Sequence, residues 1–204
     1  MSAELDMPGG IPGAVPPGAL CRPGAAEAAA RVRFLVLDVD GVCTDGRLYF
    51  DASGTASKAF YARDGIGIKT ALRAGLGIGI ITGRDDPCVR ARMTQLGVTE
   101  YHPGHEAKLP VLDEIRRRLG LGFDQMAYMG DDWIDLDPLR TVGMPLAVAD
   151  AAPDVRDEAL YVTAAPGGRG AVREAVEFLL NARQDGLKPA ALWTTLPAGA
   201  RKKA

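Results

Sequence analysis

The chain has 204 residues, 47% of them hydrophobic, and a formal charge of -2 at pH 7. That composition supplies one core of about 150 residues plus tails, and it excludes the basic excess expected of a nucleic-acid or anionic-membrane binder. A small, locally recognised ligand fits better. No stretch of the sequence reaches the apolar length of a membrane span, and the N-terminus lacks a charged region followed by an apolar core. A cytoplasmic protein without a membrane partner is expected. Cys21, Cys43 and Cys88 show neither CxxC nor zinc-ligand spacing, which argues against a disulfide framework or a structural zinc site.

In chain order, residues 1–30 are dense in Pro, Gly and Ala and lack periodicity, so a disordered leader is expected, with room for a short helix at 25–30. The domain proper is expected over 31–183. Its apolar runs at 32–37, 76–81, 99–102, 126–129, 146–148 and 161–163 predict strands, and amphipathic patterns at 66–74, 86–96, 108–119, 134–142, 155–159 and 170–182 predict the helices between them. This alternation predicts an α/β fold, a Rossmann-like doubly wound parallel sheet with helices on both faces. One crossover differs: 47–50 and 58–61 flank the turn-rich DASGT and predict a β-hairpin flap after the first strand. Residues 184–204 read as a flexible tail ending in Arg201, Lys202 and Lys203, from which Leu192, Trp193 and Leu196 are the candidates for docking. Trp133, like Trp193, reads as a packing residue.

Chemistry concentrates where strands end. FLVLDVDGVCTDG (34–46) places Asp38 and Asp40 just past an apolar strand, where ligands of a parallel sheet bind. Two desolvated carboxylates repel and need a cation or a proton. Mg²⁺ together with a phosphoryl group satisfies them; an Asp-rich turn capping backbone amides is the alternative. MGDDWIDLDPL (129–139) repeats the arrangement with Asp131 at a second strand end. Asp132 and Asp135 there either contact the metal through water, orient a partner, or cap the helix that follows. ITGR (81–84) offers the Thr82 hydroxyl and the amides around Gly83 to phosphate oxygens. Lys108 opens a helix, where the macrodipole disfavours an ammonium, so it is either beside an anion or solvated. His102 and His105 read as turn histidines, and the GGRG run at 167–170 as a glycine-rich helix start or a site loop.

DVDGVCTDG, Thr82, Lys108 and GDDWID, in that order, resemble the four motifs of the haloacid dehalogenase phosphatase superfamily. The longer segments DVDGVCTDGRLYFDASGTASKAFYARDGIGIK, ITGRDDPCVRARMTQLGV, VADAAPDVRDEA and GGRGAVREAVEFLL are similar to the 3-deoxy-D-manno-octulosonate 8-phosphate phosphatases of lipopolysaccharide synthesis, in the capless branch. The resemblance implies a Mg²⁺-dependent phosphomonoesterase with Asp38 as nucleophile and Asp40 as general acid and base. It implies a metal held by Asp38, Asp131 and the carbonyl of Asp40, with Asp132 and Asp135 behind them and Thr82 and Lys108 on the phosphoryl group. It further implies substrate contacts from Lys58, Arg63, Asp64, Gly65, Gly83 and Arg84, and a homotetramer whose flaps associate so that a neighbour helps close each site. Related nonulosonate 9-phosphate phosphatases tend to carry Glu in place of Arg84 and Lys in place of Gln95, which favours the eight-carbon substrate here. The rival readings are a nine-carbon or broad sugar-phosphate phosphatase, a non-catalytic assembly domain related to those fused to sialic-acid cytidylyltransferases, and a signalling receiver.

Overall fold

The computed structural model describes residues 15–54, 56–183, 185 and 188–194. A short strand β1 (Leu20–Cys21) and a helix α1 (Ala25–Arg31) precede the first predicted strand, β2 (Phe34–Leu37). The flap strands β3 (Tyr49–Phe50) and β4 (Ala56–Ser57) lead into α2 (Ala62–Arg73), followed by β5 (Gly77–Ile81), α3 (Pro87–Leu96), β6 (Glu100–His102) and α4 (Lys108–Leu119). Then come β7 (Met126–Gly130), α5 (Leu136–Thr141), β8 (Met144–Ala147), α6 (Pro153–Glu158), β9 (Tyr161–Val162), α7 (Ala171–Ala182) and α8 (Ala191–Thr194).

The main sheet has the order β1-β9-β8-β7-β2-β5-β6, parallel except for β1. β2 is buried at every position because it lies mid-sheet, with Leu37 in register with Ile80 on one side and Met129 on the other. The chain builds outward from β2 through β5 and β6, then returns to the opposite side at β7. That reversal opens a crevice at the carboxyl ends of β2, β5 and β7, where open α/β sheets bind ligands.

Three expectations change. The leader is structured from residue 20: Leu20 pairs antiparallel with Val162, and the alanines of α1 at positions 25, 28 and 29 are buried on one face against α7. Residues 1–14 lie outside the described residues. α2 begins earlier than predicted and carries Gly65 and Gly67 inside it, each unfavourable in a helix interior by roughly 1 kcal/mol, at positions where neighbours come close. A Cβ on Gly67 would stand 2.9 Å from Arg173 Cα of α7. The flap strands are shorter than expected and pair Tyr49 with Ser57 and Phe50 with Ala56, so Lys58 falls just past the hairpin.

The tail docks in part. Trp193 of α8 donates its Nε1–H to Thr70 Oγ1 at 2.7 Å, and the Arg73 guanidinium stacks 3.7 Å from its ring centroid. Leu196, Arg201, Lys202 and Lys203 lie outside the described residues. Trp133 is 67% exposed, so the packing role expected of it does not hold; its Nε1–H donates to Asp154 Oδ2 at 3.0 Å. Among the described residues no cap domain interrupts the chain: β4 runs directly to α2, and β5 leads through α3 and β6 to α4.

Candidate active site

β2 and β7 are adjacent and parallel, so the residues that follow them, Asp38 and Asp131, emerge side by side. The loop after β2 is folded tightly: Cys43 Sγ–H donates to Asp38 O at 3.1 Å and Thr44 Oγ1–H to Val39 O at 3.3 Å. Gly41 sits at φ 93°, and a Cβ there would come within 1.9 Å of Asp131 Oδ2. Only glycine meets both demands. The GGRG turn packs on the same loop, with Gly168 N–H donating to Val42 O at 2.9 Å and a Cβ on Gly167 meeting Gly41 O at 1.7 Å. Close backbone approach explains its glycines, and Arg169 is exposed.

Lys108 is the first residue of α4, and its side chain is fully buried. Its ammonium lies 2.9 Å from Asp38 Oδ1 and 2.6 Å from Asp135 Oδ1, which answers the unfavourable helix position with two anions. Burial works against its charge, but the two carboxylates outweigh burial and raise its pKa. Asp135 is a hub. Its Oδ1 accepts from Lys108 and from Tyr128 O–H at 2.6 Å, and its Oδ2 accepts from Asp131 N–H at 3.0 Å and Asp132 N–H at 3.3 Å. Asp38, Asp131 and Asp135 offer oxygens that all lie within 4.8 Å of one another. Because Asp135 is already committed at both oxygens, Asp38 and Asp131 are the pair with capacity left for a cation. Asp132 is exposed and caps the turn after β7, accepting from Trp133 N–H at 2.8 Å.

The electrostatics favour the same pair. Burial, followed by the charge of Asp135, raises Asp38 to about 7 against the pull of Lys108. Burial, followed by Asp38 and Asp135, raises Asp131 to about 8. Asp131 Oδ1 and Asp40 Oδ1 are buried without a hydrogen-bond partner. Two carboxyls held up by desolvation and like charge, beside orphaned oxygens, form an all-oxygen set short of positive charge. A hard divalent cation such as Mg²⁺ fits that donor set.

Asp38, Asp40, Thr82, Gly83 and Arg84 line one cleft of about 270 Å³ together with Leu48, Glu106 and Ile134. Lys58 joins them from the flap: its buried ammonium lies 2.7 Å from Asp40 Oδ2 and 2.6 Å from Asp86 Oδ2. Asp86 also accepts from Arg84 Nε–H at 3.1 Å. Burial opposes ionisation of Asp86, yet the hydrogen bonds from Lys58 and Arg84 hold its carboxyl below the usual range.

Three predicted substrate contacts lie elsewhere. Asp64 accepts from Gly170 N–H at 3.1 Å and Arg173 N–H at 2.9 Å, so it anchors the start of α7. Gly65 packs on Arg92, and Arg63 is exposed on the first turn of α2, outside the cleft lining. Gln95 accepts from Arg92 Nη1–H at 2.7 Å on the outer face of α3, so within this subunit it does not join Arg84 in discriminating substrates. Sequence reasoning missed Asp86, Glu106, Leu48 and Ile134 in the site. The consecutive acids Asp85 and Asp86 after TGR were the available signal for the first of these.

No family model matches the chain. Over 155 residues it is 43% identical to the 3-deoxy-D-manno-octulosonate 8-phosphate phosphatase of Escherichia coli K12, covering 76% of this chain and 82% of the relative. The crystal structure of that phosphatase from Yersinia pestis aligns at a TM-score of 0.77 and 40% identity, covering 79% of this chain and 87% of the other. That from Moraxella catarrhalis, in complex with magnesium ion, phosphate ion and a KDO molecule, aligns at 0.79 and 33% identity, covering 84% and 97%. A parallel sheet with acids at adjacent strand ends and this degree of identity lead to one conclusion: the chain belongs to the 3-deoxy-D-manno-octulosonate 8-phosphate phosphatase family of the haloacid dehalogenase superfamily.

Proposed function

We propose that this protein is a Mg²⁺-dependent phosphatase that hydrolyses 3-deoxy-D-manno-octulosonate 8-phosphate to the free sugar acid and phosphate. The observation that carries this reading is the juxtaposition of Asp38 and Asp131 with a buried lysine held at 2.9 Å from Asp38. Asp38, Asp131 and the backbone carbonyl of Asp40 would hold the cation, which supplies the charge that keeps both carboxyls ionised and neutralises the phosphoryl oxygens.

In this scheme the Asp38 carboxylate attacks phosphorus in line with the departing sugar oxygen. The new O–P bond makes an aspartyl phosphate as the ester O–P bond breaks. Asp40 gives its proton to the leaving alkoxide, then takes one from the water that attacks the aspartyl phosphate, releasing inorganic phosphate and restoring Asp38. Lys108 sits where it can spread the charge of the transferring group, and Asp135 holds it there. Thr82 and the amide of Gly83, both residues of the cleft lining, receive phosphoryl oxygens in this scheme. The Arg84 side chain, 41% exposed at the same cleft, suits the carboxylate of a sugar acid.

The same reading makes the protein a cytoplasmic homotetramer. Leu48 and Ile134 give the cleft an exposed apolar rim, and next to Leu48 the flap leaves Tyr49 and Phe50 53% and 59% exposed. Such a rim fits coverage by a neighbouring subunit. Among the described residues no helix is long and apolar enough to cross a membrane. The test is phosphate release with Mg²⁺ from the eight-carbon 8-phosphate and from nonulosonate 9-phosphates, on protein whose mass in solution is measured by light scattering. Preference for the eight-carbon ester by a tetramer is expected. Equal turnover of the nine-carbon esters overturns the substrate assignment, and an active monomer overturns the assembly.

A further inference from the structure

Asp40 has one oxygen committed and one free. Its Oδ2 accepts from Lys58 Nζ at 2.7 Å, while its Oδ1 is buried in the wall of the cleft with no hydrogen-bond partner. Whichever proton Asp40 moves, it moves at Oδ1, because Oδ2 already faces an ammonium that cannot accept one. The orientation of Oδ1 therefore depends on where the Lys58 ammonium is held.

Lys58 comes from the end of the flap, on a long and intrinsically flexible side chain. One hydrogen bond to Asp40 would leave the ammonium free to pivot. A second anchor removes that freedom: Asp86 Oδ2, just before α3, takes the same ammonium at 2.6 Å, and the Lys58 side chain is fully buried. Asp86 is itself buried and fixed by Arg84 Nε–H at 3.1 Å. It precedes α3, and although its carbonyl accepts from Val89 and Arg90 N–H, its side chain makes no capping hydrogen bond. The carboxylate is thus unnecessary for starting the helix. Its contacts are with Lys58 and Arg84.

We infer that Asp86 is a positioning residue for the reaction: it pins the Lys58 ammonium, and through it fixes the Asp40 carboxyl so that the unpaired Oδ1 is the oxygen left to carry the proton. The assignment rests on the phosphatase reading above, in which Asp40 protonates the leaving oxygen. A leaving group that needs no proton does not depend on that alignment. The consequence is a selective loss. Positioned general acids contribute roughly 10²- to 10⁴-fold, and misalignment forfeits part of that for a sugar alkoxide but little for 4-nitrophenolate.

The test compares wild type, Asp86→Asn, Lys58→Ala and the double variant by kcat/KM, which reports events up to the first phosphoryl transfer and excludes hydrolysis of the intermediate. Substrates are 3-deoxy-D-manno-octulosonate 8-phosphate, 4-nitrophenyl phosphate and phenyl phosphate. Asp86→Asn is expected to lower kcat/KM about 10- to 100-fold for the sugar ester, with phenyl phosphate intermediate and 4-nitrophenyl phosphate within about threefold. In the Lys58→Ala background the same substitution should add less than about threefold to the loss on phenyl phosphate. Asp86→Glu, which keeps the charge, should recover part of the sugar-ester rate.

Equal losses across the three esters, or additive losses in the double variant, would assign Asp86 a structural role only and overturn the inference. So would an Asp86→Asn enzyme as active as wild type. If wild type ignores the sugar ester but hydrolyses the aryl esters, the substrate reading fails, while the phenyl-to-nitrophenyl comparison still decides the role of Asp86.

Discussion

Replacing Asp135 by Asn tests the hub beneath the site. The side chain keeps its shape, but an amide presents one acceptor oxygen and one NH₂ donor. Asp135 accepts four hydrogen bonds, two at each oxygen, from Lys108, Tyr128 and the amides of Asp131 and Asp132. Either amide orientation turns an NH₂ onto donors. Tyr128 can rotate its hydroxyl to accept, but neither the Lys108 ammonium nor a backbone N–H can. Breaking one partner of a buried ion pair costs about 3–5 kcal/mol. Relief of the repulsion that Asp135 exerts on Asp38 and Asp131 offsets part of this, leaving a net loss of about 2–4 kcal/mol. For a domain of this size that lowers Tm by roughly 4–16 °C. Calorimetry in EDTA reads the stability, and phosphate release with Mg²⁺ should fall more than about tenfold in the fraction that remains folded, because Lys108 loses its second anchor. A variant within about 1 kcal/mol of wild type, at full activity, would show that Asp135 does not hold Lys108 in place.

Three further outcomes are expected. Asp38 and Asp131 titrate near 7 and 8 when folded, above the unfolded value of about 3.9. Between about pH 4 and 8 the folded, metal-free protein therefore binds more protons than the unfolded chain, and the stability contributed by these groups is lost as pH rises through that window. Mg²⁺ displaces those protons, so its increment in Tm should grow from about pH 5.5 to 8; an equal increment at both ends contradicts this origin. Gly41→Ala puts a Cβ at 1.9 Å from Asp131 Oδ2 and should weaken Mg²⁺ binding more than about tenfold by calorimetric titration. Gly24→Ala, at φ 85° but with nothing within 4 Å, carries only the backbone strain and should leave Mg²⁺ affinity unchanged. Trp193→Ala removes the stack on Arg73 and the hydrogen bond to Thr70 and should cost about 1–2 kcal/mol in urea melts; no change would show that α8 does not dock.

The strands were legible because a parallel sheet buries both faces, so Phe34–Leu37, Gly77–Ile81 and Met126–Gly130 read as short apolar runs. That Asp38 and Asp131 lie side by side was legible in part, because each directly follows such a run and parallel neighbours bring their carboxyl ends together. β1 was not, since two residues in a Pro- and Gly-rich stretch carry no pattern, and only pairing of Leu20 with Val162, far along the chain, makes them a strand. The partners of Asp64 were not legible for a related reason: the amides of Gly170 and Arg173 are more than 100 residues away. Asp86 looked like an ordinary helix start, and its contact with the flap lysine appears only in three dimensions.

The most direct test of the account is a single-turnover experiment with Mg²⁺ and 3-deoxy-D-manno-octulosonate 8-phosphate, quenched in acid and analysed by peptide mass spectrometry. A transient phosphoryl group is expected on Asp38, in the peptide carrying residues 34–46, lost as inorganic phosphate accumulates and absent from Asp38→Asn. Turnover at the wild-type rate in Asp38→Asn, or a phosphoryl group captured on another residue, would contradict it.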